Sequence, residues 1–283
     1  MVVNQILKRY SFEDFERTTY NEHQAIMDTG ETVPEKLKQP INETIDTYFN
    51  YCNNKQYGEA YNMVSEECKR IYFPTLEDFK KYIDIVFDEN KVYYLQNFSN
   101  YNDTYIYRMR IMEDLMATGL TNKDDLYFYE EKIALKENDG KISLSLRQYI
   151  TSENIEEIYE DEFVKINVKS KDVFYEQEIY TVEIKNKTSN IIVMADSQEN
   201  NEIILQVGTE SRTTDNDNLY VVVHPNETQT FSLNFTKFYD EEKSSVGLIF
   251  NAVRILPQYS GFEELKDYEL SIAKKLYSIE IPF

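Results

Sequence analysis

The sequence predicts an α+β unit followed by an all-β sandwich. Three observations carry this prediction. Apolar residues recur at helical spacing between about positions 41 and 86, then alternate at strand spacing from about 91. Beyond an acidic seam at 151–162 the alternation runs to the chain end, with turn signals about every ten residues. The predicted organisation is a helical and connecting segment at 1–37, an α+β domain at 38–150, an acidic linker at 151–162 and a β-sandwich at 163–283.

Phe12 and Phe15 start a helical repeat that fades into polar residues, broken by Gly30 and Pro34. Pro40 suits a first helical turn. Ile41, Ile45, Phe49 and Cys52 then form a stripe that Asn53 and Asn54 stop. The stretch "NNKQYGEAYNMVSEECKRIYF", 53–73, restarts a helix with Tyr57, Ala60, Tyr61, Val64 and Cys68 on one face. Thr75 with Asp78 three residues on is a variant of the capping box, and Leu76, Phe79, Ile83 and Val86 make the third stripe. Then the rhythm changes. "KVYYLQNFS" and "DTYIYRMRIM" read as strands joined by a polar turn at 100–102. "DLYFYEEKIALKE" and "KISLSLRQYI" read as two more, joined through Asp139–Gly140, a pair suited to a tight hairpin turn. In the second half, Tyr180, Val182 and Ile184 alternate with polar neighbours, as do Ile203, Leu205 and Val207, and Phe231, Leu233 and Phe235. Leu248 and Phe250 followed by Val253 and Ile255 slip parity, which predicts a bulge. Tyr277, Ile279 and Ile281 close the chain.

A length of 283 residues accommodates two domains. The 24 Tyr and 16 Phe are core-building material, and each buried Tyr needs a partner for its hydroxyl. Only 7 Gly argue against glycine-rich phosphate loops and a dinucleotide site. A net charge of −21 repels phosphate backbones and anionic bilayers, so nucleic acid is excluded as a partner of the whole molecule. No run of ~18 apolar residues is present to span a membrane. The start "MVVNQILKRY" is too short and wrongly flanked for a signal peptide, so either the protein is cytosolic or an anchor precedes this chain. Cys52 and Cys68 fall near the far ends of two helices and are expected to be free and buried.

Motifs for chemistry are sparse. His23 and His224 read as surface or turn residues, and no HExxH, CxxC or GxSxG pattern occurs. Ser271 to Lys274 formally matches an S-x-x-K serine-enzyme motif, but its partner motifs are missing and the segment lies in a β-rich tail. Asp215 to Asn218, "DNDN", has calcium-ligand residue types without the glycine and distal glutamate of an EF-hand loop, and reads as a solvated loop. No catalytic residue, metal or cofactor is assigned.

The order of elements resembles the NTF2-like (SnoaL-like, cystatin-like α+β cone) superfamily, in particular its extracytoplasmic versions in low-GC Gram-positive bacteria. Tyr57, Ala60, Tyr61, Phe73, Leu76 and Phe79 carry the match over about 110 residues, and they are packing positions. "VEIKNKTSNIIVM" and "HPNETQTFSLNFTKF" look like the immunoglobulin-like modules that follow such domains. The resemblance implies three helices on a curved antiparallel sheet enclosing a conical pocket, followed by an immunoglobulin-like sandwich. In such a cone Tyr94, Tyr105, Tyr107, Tyr127 and Tyr129 would line the pocket, with Arg108 facing solvent or an anionic group there. The alternative is that these tyrosines are ordinary core filler. The expected function is non-enzymatic: an extracytoplasmic binding or assembly protein at the bacterial cell surface. It would bind another surface protein or a small amphipathic ligand through the cone or a sheet face. The competing expectation is a cone enzyme of the isomerase or cyclase type, with a carboxylate base and a Tyr as oxyanion donor. Two copies pairing through the open sheet face, or the trailing domain covering it, both remain open.

Overall fold

The chain divides into two compact units, one reaching Thr151 and the other starting at Ser152. A computed structural model describes residues 18–19, 33–113, 127–138, 140–196, 202–216, 219–237, 245–259 and 266–283. The readings made at Phe12, Phe15, His23, Gly30 and Asp139 fall outside these residues. Among the described residues strand dominates, 54% against 22% helix, in several antiparallel sheets with only five short helices. The fold is therefore mostly β, and the expected three-helix NTF2-like cone is not what forms.

In the first unit, helices α1 (Glu35–Asn53), α2 (Tyr57–Tyr61), α3 (Glu66–Tyr72) and α4 (Leu76–Val86) precede most of one sheet. That sheet holds β1 (Thr18–Thr19), β2 (Lys91–Tyr101), β3 (Thr104–Glu113), β4 (Tyr127–Asn138) and β5 (Lys141–Ser145). Its order is β1-β4-β3-β2, with β5 also paired to β4. Pro40 lies inside α1 rather than in its first turn, because the helix begins earlier, at Glu35.

The single helix expected over 57–73 is broken in two for a local reason. Ser65 N donates to Leu144 O at 2.8 Å and Leu144 N to Met63 O at 3.0 Å, so residues 63–65 pair with β5 instead of coiling. Ser65 then restarts the helix as its N-cap, accepting from Cys68 N. Thr75 caps α4 as its sequence predicts, its hydroxyl accepting from Asp78 N at 3.2 Å. Leu76 is 45% exposed, and Tyr82, 1% exposed, packs in the core from the same helix.

The space that an open cone leaves empty is filled by aromatic rings. Phe49, Phe73, Phe79, Tyr82 and Phe87 are all buried. Phe73 lies 5.3 Å from Phe79 and 5.1 Å from Tyr82, and Phe49 lies 5.1 Å from Phe87. Burying each such ring contributes about 1.5–3 kcal/mol, so the packed interior is favoured over a vacant one.

Residues read as an acidic linker are instead most of a strand, β6 (Tyr149–Glu160). It ends a four-stranded sheet of order β13-β8-β7-β6, with β7 (Val164–Phe174), β8 (Gln177–Asn186) and β13 (Thr228–Thr236). The second sheet, of order β11-β10-β14-β9-β12, contains β9 (Ile191–Ala195), β10 (Ile203–Val207), β11 (Glu210–Thr213), β12 (Val221–Val223) and β14 (Ser245–Leu256). Strand β15 (Lys275–Pro282) pairs with β14, and a short helix, α5 (Lys266–Ile272), precedes it. Inward positions of the two sheets share one core: Ile166, Val182 and Leu233 join Met194, Leu205, Leu248 and Ile279. The second unit is thus a β-sandwich. The parity slip in β14 is a register shift between Phe250 and Val253. Gly247 is required near the start of the same strand, since a Cβ would sit 2.7 Å from Ile281 O across the ladder.

Candidate functional site

The register of the first sheet separates the predicted pocket residues. Tyr105, Tyr107, Met109 and Ile111 of β3 stand beside Leu135, Ile133, Glu131 and Tyr129 of β4. This is the face toward the helices, since Tyr82 of α4 donates to Glu131 and Phe49 of α1 stacks on Tyr93, the β2 neighbour of Ile111. Side-chain alternation puts Tyr94 and Arg108 on the opposite face. Tyr127 places its backbone opposite Thr19. Tyr94 and Arg108 therefore do not share a face with Tyr105, Tyr107 and Tyr129. Tyr107 is buried, and burial, with the neighbouring Tyr105, pushes its hydroxyl up to about 12.

On the inner face the sequence reading missed Glu131. It is 7% exposed, and both oxygens are engaged: Tyr82 Oη donates to Oε2 at 3.1 Å and Arg147 N donates to Oε1 at 2.8 Å. Burial raises its carboxyl above the ordinary range, and Arg147, Tyr82 and backbone N–H groups only partly offset that. Burial also raises Tyr48 and Tyr82, and lifts the free thiols of Cys52 and Cys68 to about 12. The signal for Glu131 was in the strand itself: it shares parity with Tyr129, Ile133 and Leu135 in "YEEKIAL". Its work is local. Arg147 and Gln148 both take positive φ, 55° and 66°, in a turn closed by Tyr149 N to Leu146 O at 3.2 Å. Non-glycine residues pay conformational energy there, and Glu131 holds the Arg147 amide in place.

The outer face is different in kind. Tyr94 is 58% and Val92 39% exposed on β2, the terminal strand of the sheet. Tyr94 stands opposite Arg110, Arg110 opposite Glu130, and Arg108 opposite Lys132. Glu130 answers both arginines, at 3.2 Å to Arg108 Nε and 3.6 Å to Arg110 Nε. Arg110 also lies 4.9 Å over the Phe128 ring. Among the described residues its Nη2 is buried and has no hydrogen-bond acceptor. Arg108, Arg110, Glu130 and Lys132 thus share the outer face of β3 and β4.

A separate open groove of about 260 Å³ lies where the α2–α3 break meets the β4–β5 hairpin, lined by Ser65, Glu66, Glu67 and Lys141 among others. It is smaller than ordinary small-molecule sites of about 300–1,000 Å³ and contains none of the predicted site residues.

In the second unit Ser271 sits near the end of α5, not at a helix start, so the S-x-x-K geometry is absent there. His224 lies in a turn, its carbonyl accepting from Glu227 N at 3.1 Å. Asp215 and Asn216 turn their side chains to the backbone of β13. Among the described residues no group of three or more His, Cys, Asp or Glu could hold a metal ion, and no helix is long and apolar enough to cross a membrane. No protein-family model matches the chain, and no curated protein is significantly similar to it.

Proposed function

We propose that the chain is a non-enzymatic binding or assembly protein of the bacterial cell surface, engaging a protein partner through the outer face of its first sheet at Tyr94, Arg108 and Arg110. One observation carries this: an aromatic side chain that is 58% exposed stands beside a nearly buried guanidinium whose Nη2 donor has no acceptor among the described residues. A buried donor without an acceptor costs about 1–3 kcal/mol, which a shift of the Arg110 head toward a partner's carboxylate or carbonyl would remove. Tyr and Arg are also the side chains most enriched at the energetic centres of interfaces. The interior supports the non-enzymatic half of the reading, because Glu131, the carboxylate best placed for proton transfer, has both oxygens occupied. The isomerase or cyclase alternative needs an open cone, and the aromatic filling of the first unit favours the binding reading over it.

The test is a photo-crosslinking phenylalanine analogue at position 94 in the source cell, compared with the same group at Leu276, which is 59% exposed on the second unit. A discrete adduct from position 94, abolished by Arg110→Ala, and protease sensitivity on intact cells are expected. Equal adducts from both positions, or protection from protease until the cells are lysed, would overturn the reading.

A further inference from the structure

We propose that residues 212–216 form a side-chain strap guarding the outer edge of β13, and that this edge pairs with β13 of a second copy of the chain when the strap is broken. Strand β13 ends its sheet, bonded to β8 on one side only. Its sequence, TQTFSLNFT, carries no charge, proline or glycine. Each of the other described strands of nine or more residues contains a charged residue. An uncharged, alternating, β-branched and aromatic strand at a sheet edge has the features that favour edge-to-edge self-pairing. A net charge of −21 opposes self-association elsewhere on the chain, but β13 itself offers nothing to repel its own copy.

No strand covers this edge among the described residues; one backbone amide and the side chains of residues 212–216 do. Asp215 N donates to Asn234 O at 2.7 Å. The Asn216 side chain accepts from Asn234 N at 2.7 Å and donates to Ser232 O at 3.2 Å. Asp215 Oδ2 accepts from Thr236 N and, at 2.8 Å, from Thr236 Oγ1. Arg212 Nη1 donates to Thr236 O at 3.1 Å. The outward backbone groups from Ser232 to Thr236 are thereby answered without a ladder, by a segment that continues from β11 of the other sheet. This gives the first two residues of the calcium-like "DNDN" stretch a structural use.

The test is the double variant Asp215→Ala, Asn216→Ala in the full chain, read by amide hydrogen exchange and by light scattering across concentrations. The Asn234 and Thr236 amides are expected to exchange roughly tenfold or more faster in dilute solution, with a doubled mass appearing as concentration rises. Adding Thr230→Pro is expected to return the mass to that of the parent. Thr230 shares outward parity with Asn234 and Thr236, so the proline blocks the edge without removing a bond to β8. Unchanged exchange overturns the strap. Faster exchange at constant mass, or association that survives Thr230→Pro, overturns the interface. If the double variant does not unfold cooperatively, Asn216→Ala alone, which leaves Asp215 on Thr236, is held to the same outcomes.

Discussion

Two buried groups, one in each unit, are answered in opposite ways. In the first unit the Glu131 carboxylate is met by a tyrosine hydroxyl and a backbone amide. In the second unit charge meets charge around Arg254 and Lys171. Arg254, 2% exposed, lies 2.9 Å from Asp196 and 3.2 Å from Glu202. Lys171 lies 3.0 Å from Glu153 and 3.9 Å from Glu178. Burial raises the Glu131 carboxyl and its two donors only partly offset that, whereas the ion pairs of the second unit depend on both members being charged.

The largest effect that sharpens this contrast is expected from Arg254→Met. It leaves Asp196 and Glu202 buried without their guanidinium and should cost about 3–5 kcal/mol, seen as faster hydrogen exchange along β9 and β14 with β2–β4 unchanged. Tyr82→Phe removes one hydrogen bond from Glu131 and should cost the first unit about 1–3 kcal/mol, by urea unfolding followed through exchange of β3 and β4. If the two substitutions cost the same in both units, the contrast fails.

The pH responses should run in opposite directions. Glu131 is raised by burial, so its contribution to stability is full below the ordinary glutamate value and is lost as pH rises through its folded value. Glu131→Gln should remove that loss, narrowing the gap between acid and neutral stability of the first unit. In the second unit burial lowers Lys237 to about 8, opposed by Glu178. Its contribution is full above the ordinary lysine value and is lost as pH falls toward about 8. Lys237→Met should therefore flatten the second unit's stability between those limits. The smallest effect is expected from Gln148→Gly, which relieves a φ of 66° and should add about 0.5–1 kcal/mol to the first unit.

Side-chain rhythm and capping chemistry were readable from the residues. The Thr75 cap, the switch to strand at Lys91 and the bulge after Phe250 follow from local preference that packing then agrees with. The turn at Arg147–Gln148 was not readable, because neither residue favours positive φ and the turn is held from outside by Glu131. Likewise β6 looked like a linker because its four glutamates mask a pairing decided by β7. At the candidate site, strand alternation puts Tyr94 and Arg108 across the sheet from Tyr105, Tyr107 and Tyr129, a separation visible only once the strand register is known.

The proposed surface role requires that the first unit's interior be closed. Carbon-detected NMR titration of the Glu131 carboxyl in the full chain tests it most directly. A midpoint above the ordinary glutamate value of about 4.3, insensitive to added salt, is the predicted result. A midpoint at or below that value, shifting with salt as an accessible carboxylate does, would show solvent reaching Glu131 and would contradict the closed interior.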